Sequence, residues 1–135
     1  YPYPASRRAG QPDRTVENDF EKLDQVRQLA RRYSLLLVVK GAYTAVILPE
    51  GKTFFNSTGN YGMATGGSGD VLTGIITSLL AQGYSPEDAA VTGVYLHGLA
   101  GDLAIRKIHP KSLVASDIIE HLSSAWRHLL EEPVV

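Results

Sequence analysis

The stretch GNYGMATGGSGDVLTG, residues 59–74, decides the reading of this chain. Six of its sixteen residues are glycine, and it runs directly into the apolar segment IITSLL. Glycine dispenses with a Cβ and tolerates positive φ, so a glycine-dense lead-in bares backbone amides. A helix N-terminus adds unpaired N–H groups and the positive end of the helix dipole. The combination is an anion site, typically for phosphate. No Gly-Lys-Ser/Thr follows, which excludes a Walker loop, and the spacing fails the dinucleotide fingerprint.

Asp70 stands at the junction of loop and helix. A carboxylate in a phosphate-binding turn repels its ligand. It belongs there if it serves the helix dipole, binds a metal bridging phosphates, or takes a proton from an attacking hydroxyl. Residue type and place leave these three roles open.

Working outward, the spacing predicts a helix from about Ser68 to Gln82, stopped by Gly83. Ser85-Pro86-Glu87-Asp88 carries an N-cap, a proline at the first helical position and acidic first-turn residues. That helix is expected to extend toward Ile108, before His109-Pro110. A last helix, capped by Ser116, contains Ile118, Ile119, Leu122, Trp126, Leu129 and Leu130. On the N-terminal side, Val16, Phe20, Leu23, Val26, Leu29, Ala30 and Tyr33 recur at helical spacing, with Thr15 as the expected cap. The run LLLVVK, 35–40, reads as a strand buried on both faces. YTAVIL, 43–48, and TFFN, 53–56, read as two further strands. Lys40-Gly41-Ala42-Tyr43-Thr44 fits a two-residue hairpin turn with Gly41 at its first central position. The first fourteen residues, YPYPASRRAGQPDR, show no apolar periodicity and read as an irregular arm.

A lone doubly buried strand needs more sheet beside it and helices on both sides. Three strands are too few, so the chain is expected to be the C-terminal portion of a larger α/β domain. A neighbouring strand from outside residues 1–135 should complete the sheet. Composition adds exclusions. The chain has 135 residues, 44% of them hydrophobic and 20% charged, with a net charge of −1. Nothing there calls for nucleic acid or a membrane surface as partner. There is no cysteine, hence no disulfide and no cysteine-ligated metal, which fits a cytoplasmic protein.

The run Asn60 to Gly74, N-Y-G-M-A-T-G-G-S-G-D-V-L-T-G, resembles the motif of the ADP/ATP-dependent NAD(P)H-hydrate dehydratases of the ribokinase-like superfamily. Its core, Gly67-Ser68-Gly69-Asp70, resembles the whole superfamily; the lead-in Met63-Ala64-Thr65-Gly66-Gly67 is similar to the dehydratases in particular. The likeness extends from about Leu36 to Trp126, through Lys40 to Thr44 and Tyr95-Leu96-His97-Gly98-Leu99-Ala100-Gly101-Asp102. The resemblance implies an α/β ribokinase-like fold, the C-terminal portion of a three-layer α/β/α domain. It implies phosphoryl transfer from ADP or ATP, with Mg2+, to the ring hydroxyl of hydrated NADH or NADPH, followed by loss of phosphate. Asp70 would be the catalytic base and touch that substrate. Lys40, Gly41, Ala42, Tyr43, Thr44, Asn60, Thr65, Gly66, Gly67, Ser68 and Gly69 would bind the nucleotide. The family also implies a homo-oligomer.

The N-terminal arm departs from the family pattern. A Pro-His-Pro-x-Glu segment is expected there, and Pro2-Tyr3-Pro4-Ala5-Ser6 has Tyr3 for His and Ser6 for Glu. No hydrate contact carries over to Tyr3. His97 and Asp102 are five residues apart and share no helix face, so His97 reads as structural or merely near the nucleotide. Gly98 and Gly101 suit close helix packing, and His109, His121 and His128 read as surface residues. Two rivals remain: a small-molecule kinase of the same superfamily, and a truncated nucleotide-binding domain without turnover.

Overall fold

A computed structural model describes residues 14–131, with side chains from Phe20 onward. The expected arm, with Tyr3 and Ser6, lies outside those limits except for Arg14, which already belongs to the first helix; Thr15, expected as its cap, is likewise inside the helix rather than before it. Helix α1 (Arg14–Tyr33) leads into strands β1 (Leu37–Val39), β2 (Ala45–Ile47) and β3 (Thr53–Phe55). Helices α2 (Ser68–Ala81), α3 (Pro86–Ala104), α4 (Ala115–Glu120) and α5 (Leu122–Glu131) follow, with short 3-10 turns at Tyr61–Met63 and Pro110–Ser112.

The strands form an antiparallel sheet in the order β1-β2-β3, with Val38 opposite Val46 and Val46 opposite Phe54. Side chains alternate between faces along β2. Ala45 and Ile47 join Ala30, Leu23 and Val26 of α1 on one face. Val46 and Leu48 join Leu72 of α2 and Ala90 and Val94 of α3 on the other. Alternation in one strand therefore builds the three layers that the sequence implied: α1, sheet, α2 with α3. A second core lies within the helices, where Leu96 and Ile118 are fully buried. Truncating either to alanine should cost about 2–5 kcal/mol.

The helix stops follow local rules. Tyr84 N–H donates to Leu79 O across Gly83, which has φ +95°, closing α2 as a Schellman motif. Ser85 caps α3 by accepting from Asp88 N–H at 3.2 Å. At the end of α1, Leu35 N–H donates to Ala30 O, with Ser34 at φ +52°. The same Schellman geometry appears there with serine in the glycine place.

Four expectations are corrected. The strand expected over 35–40 is only three residues long, because Leu35 is spent on the α1 cap. It is half-buried rather than buried on both faces, because β2 is its one strand neighbour among the described residues. The fully buried strand is β2. The Gly41 turn is not a two-residue hairpin: Val39 pairs with Ala45, which leaves a five-residue loop, 40–44, and Gly41 has no positive φ. Helix α3 ends at Ala104, and Arg106, Lys107 and Ile108 continue as tight turns onto Leu103 and Ala104 carbonyls. The last helix begins at Ala115, not after a Ser116 cap, because Asp117 accepts from Val114 N–H. It is interrupted at His121, whose Nδ1 lies 2.7 Å from Asp117 O and occupies a carbonyl the helix ladder uses.

Candidate functional site

The first turn of α2 has no capping side chain over its amides; Ser68 N–H donates to Thr65 O at 3.3 Å and Val71 N–H to Gly67 O at 3.1 Å. Its N-cap is Gly67, at φ +84°. A Cβ there would be strained by that φ and would sit 3.2 Å from the Ala115 Cβ. Gly66 has nothing within 4 Å of a would-be Cβ, so the turn opens to free space.

Lys40 comes to this turn from the 40–44 loop. A Cβ placed on Gly69 would collide with the Lys40 Nζ, so the ammonium rests against the amide end of α2. The helix end contributes roughly half a positive charge and the lysine a full one. From α3, His97 Nε2 lies 2.9 Å from Ser68 O and 3.3 Å from Ser68 Oγ. A carbonyl only accepts, so Nε2 donates and the lone pair is on Nδ1. Burial holds the His97 pKa below the usual 6.5; the bond to Ser68 opposes this and nearby Lys40 reinforces it. His97 is thus a neutral tether between α3 and the start of α2.

These groups line a cleft of about 630 Å³. Its walls are the 40–44 loop, the 56–60 strip, the segment 63–65, the α2 start, and α3 at Val94, His97 and Gly98. Of the residues expected to bind nucleotide, Lys40, Gly41, Ala42, Thr44, Asn60, Thr65, Ser68 and Gly69 meet in it. Gly66 and Gly67 shape the turn without forming wall. Tyr43 is 73% exposed and outside the wall, although its neighbours on both sides belong to it.

Asp70 lies elsewhere. Its side chain is exposed and borders a second groove, about 470 Å³, shared with Val71, Ile75, Leu122 and Trp126. Successive helix residues point about 100° apart, so one step along α2 moves a side chain from one cleft to the other.

Sequence reading missed Asn56 and Thr58 as wall residues. They had a signal: with Asn60 they place a polar side chain at every second position after TFF. His97, read as structural or merely near the nucleotide, lies in the wall and is bonded to Ser68. As expected, Gly98 and Gly101 permit close packing, with Thr58 and Met63 filling the space where a Cβ would stand. His109 is exposed, whereas His121 and His128 are half-buried.

Comparison with known proteins places this geometry. A family model described as NAD(P)H-hydrate dehydratase matches residues 7–124. A bifunctional NAD(P)H-hydrate repair enzyme from Moorella thermoacetica is 46% identical over 112 residues, covering 83% of this chain and 21% of that protein. An ADP-dependent (S)-NAD(P)H-hydrate dehydratase from Neisseria meningitidis is 42% identical over 103 residues, covering 76% of this chain and 34% of that one. The crystal structure of the Bacillus subtilis ADP/ATP-dependent NAD(P)H-hydrate dehydratase, co-crystallised with ATP/Mg2+, superimposes with a TM-score of 0.77 at 30% identity. It covers 84% of this chain and 41% of its own. The chain thus spans between about a fifth and two-fifths of the length of these relatives.

Proposed function

Because this chain belongs to the NAD(P)H-hydrate dehydratase family, we propose that it carries the phosphoryl-transfer end of an ADP- or ATP-dependent dehydratase acting on hydrated NADH or NADPH. The observation that carries this reading is the Lys40 ammonium resting on Gly69 at the amide end of α2. Two positive features converge on one point of an open cleft, and a polyphosphate is the ligand they suit.

In this reading the nucleotide lies along the 40–44 loop and the 56–60 strip, its terminal phosphate on the amides of Gly66 to Gly69. Asp70, in the neighbouring groove, takes the proton of the ring hydroxyl. The hydroxyl oxygen attacks the terminal phosphorus, and the bond to the nucleotide's bridging oxygen breaks, releasing AMP or ADP. The turn amides and Lys40 stabilise charge on the transferring phosphoryl. The ring C–O bond then breaks, phosphate leaves with the loss of a ring proton, and the dihydronicotinamide is restored. Placing Asp70 one step round the helix keeps the carboxylate out of the phosphates' cleft while leaving it beside the transfer point.

Mg2+ use is part of the proposal. Among the described residues no group of three or more His, Cys, Asp or Glu could form a protein cage for it. A hard cation that keeps its waters and rides on nucleotide phosphates is compatible with that donor set and would neutralise phosphate charge.

The test is turnover of hydrated NADH with ADP and with ATP, followed by dihydronicotinamide absorbance and phosphate release together. Recovery of absorbance with one phosphate per ring is expected. A stable phosphoester without recovery would mark a small-molecule kinase instead. Nucleotide binding without either product would mark a non-catalytic domain.

A further inference from the structure

The strip 56–60 forms one wall of the cleft, and α3 holds it from behind. Asn56 Nδ2 donates to Val94 O at 3.3 Å and Thr58 Oγ1 to Tyr95 O at 2.9 Å. A Cβ on Gly98 would collide with Thr58 Oγ1 and would come within 2.7 Å of the Thr58 carbonyl carbon. The strip therefore lies directly on the helix backbone. At its far end the helix supplies a carboxylate. Asp102 Oδ2 accepts from Gly59 N–H and Asp102 Oδ1 from Asn60 Nδ2, both at 2.9 Å. Asn60 Oδ1 in turn accepts from Gly62 N–H at 3.0 Å.

The chain of bonds fixes an orientation. With Gly62 on its oxygen and Asp102 on its nitrogen, the Asn60 amide has one way to lie. Gly59, at φ +110°, is held in the same grip through its backbone. Gly59 and Asn60 line the cleft and Asp102 does not. A carboxylate taking two N–H donors is charge-assisted at both bonds, and the tie spans 43 positions of sequence.

We infer that Asp102 is a positioning residue for the cleft: its carboxylate holds Gly59 and Asn60 in the shape that receives the ligand. That this ligand is an adenine nucleotide rests on the function proposed above. The action of Asp102 on the wall does not depend on it.

Asp102→Asn keeps the side chain's size but replaces one acceptor by an NH2 donor. One of the two loop donors then faces another donor. Asn60→Ala removes the same bond from the other end. The wild-type chain, both variants and the double variant are compared in three ways: melting temperature, amide hydrogen exchange without ligand, and ADP affinity well below each melting point. For Asp102→Asn, exchange should quicken over 59–63 while α2 and α3 stay protected. ADP affinity should fall about tenfold in the folded protein. The double variant should lose less than the product of the two single losses, because both act on one bond. A lowered melting temperature with unchanged ADP affinity, unchanged exchange at 59–63, or fully multiplicative losses would each overturn the inference. Failure of the wild-type chain to bind ADP would instead remove the proposed ligand, and exchange in Asp102→Asn would still decide the role of Asp102. If Asp102→Asn does not fold, the exchange and ADP affinity of Asn60→Ala decide it by the same criteria.

Discussion

The two sides of the first turn of α2 carry different chemistry. On one side Lys40, Ser68, Gly69 and Asn60 face a cleft rich in donors. On the other, Asp70 borders a groove whose remaining walls are largely apolar, including Val71, Ile75 and Trp126. Gly69 and Asp70 are adjacent in sequence, yet helical geometry assigns them to different clefts. The difference teaches how one short motif can offer an amide turn to one cleft and a carboxylate to the next. Asp70 stands beside the first cleft without lining it, and each side acquires its own chemistry.

The comparison breaks most sharply at Asp70. Asp70→Asn should lower turnover of hydrated NADH by about a hundredfold or more, the scale of a positioned base. ADP affinity should hold or improve, because a negative charge near the phosphates is gone. Steady-state kinetics beside calorimetric titration separates the two quantities. Turnover near the wild-type level would return Asp70 to a helix-dipole role.

The opposite side yields at Lys40. Lys40→Met keeps most of the stem and removes the charge, and ADP affinity should fall about tenfold, the cost of one charge-assisted bond. Affinity equal to wild type at low salt would show that the ammonium does not touch the ligand.

Gly69→Ala sharpens the contrast with a smaller effect. The new Cβ meets the Lys40 ammonium, the free end of a flexible side chain, which can move aside. Alanine suits a helix better than glycine by up to about 1 kcal/mol, so the melting temperature should hold or rise. ADP affinity should nevertheless drop roughly threefold as the ammonium is displaced, less than the full loss of a charge-assisted bond. A variant that is both less stable and equally tight in binding would contradict this placement of Lys40.

The smallest effect is the pH dependence of His97. Its folded pKa lies below 6.5, so the imidazole is neutral in both folded and unfolded chains well above that pH. As pH falls below about 6.5, the unfolded chain takes the proton first, and stability is lost until the folded pKa is passed. His97→Gln retains an N–H donor for Ser68 O but does not titrate. Its melting temperature should fall less than that of the wild type between pH 7 and pH 5. Parallel curves for the two proteins would show that His97 does not carry this dependence.

What the sequence made legible was local. Gly83 at positive φ and Ser85 before Pro86 act within a few residues of where they stand, and both stops and starts follow from them. The glycine run before Val71 and Leu72 located the amide turn for the same reason. What it concealed lies in contacts between distant residues. His97 meets Ser68 from 29 positions away, and Asp102 meets Gly59 from 43. Periodicity cannot show either contact. The apolar run 35–39 looked like an interior strand, but its first leucine closes α1 and its pairing is decided by neighbours elsewhere. Nor does the motif show which side chains of the 40–44 loop face inward: Ala42 and Thr44 line the cleft, while Tyr43 is exposed and outside its wall.

The most direct test of the account is a crystal of this chain grown with ADP. The terminal phosphate should lie on the amides of Gly66 to Gly69, within hydrogen-bond reach of Lys40 Nζ, with the nucleoside along the 40–44 loop and Asp70 outside the nucleotide cleft. Nucleotide density in the Asp70 and Trp126 groove, or phosphate away from the α2 amides, would contradict it.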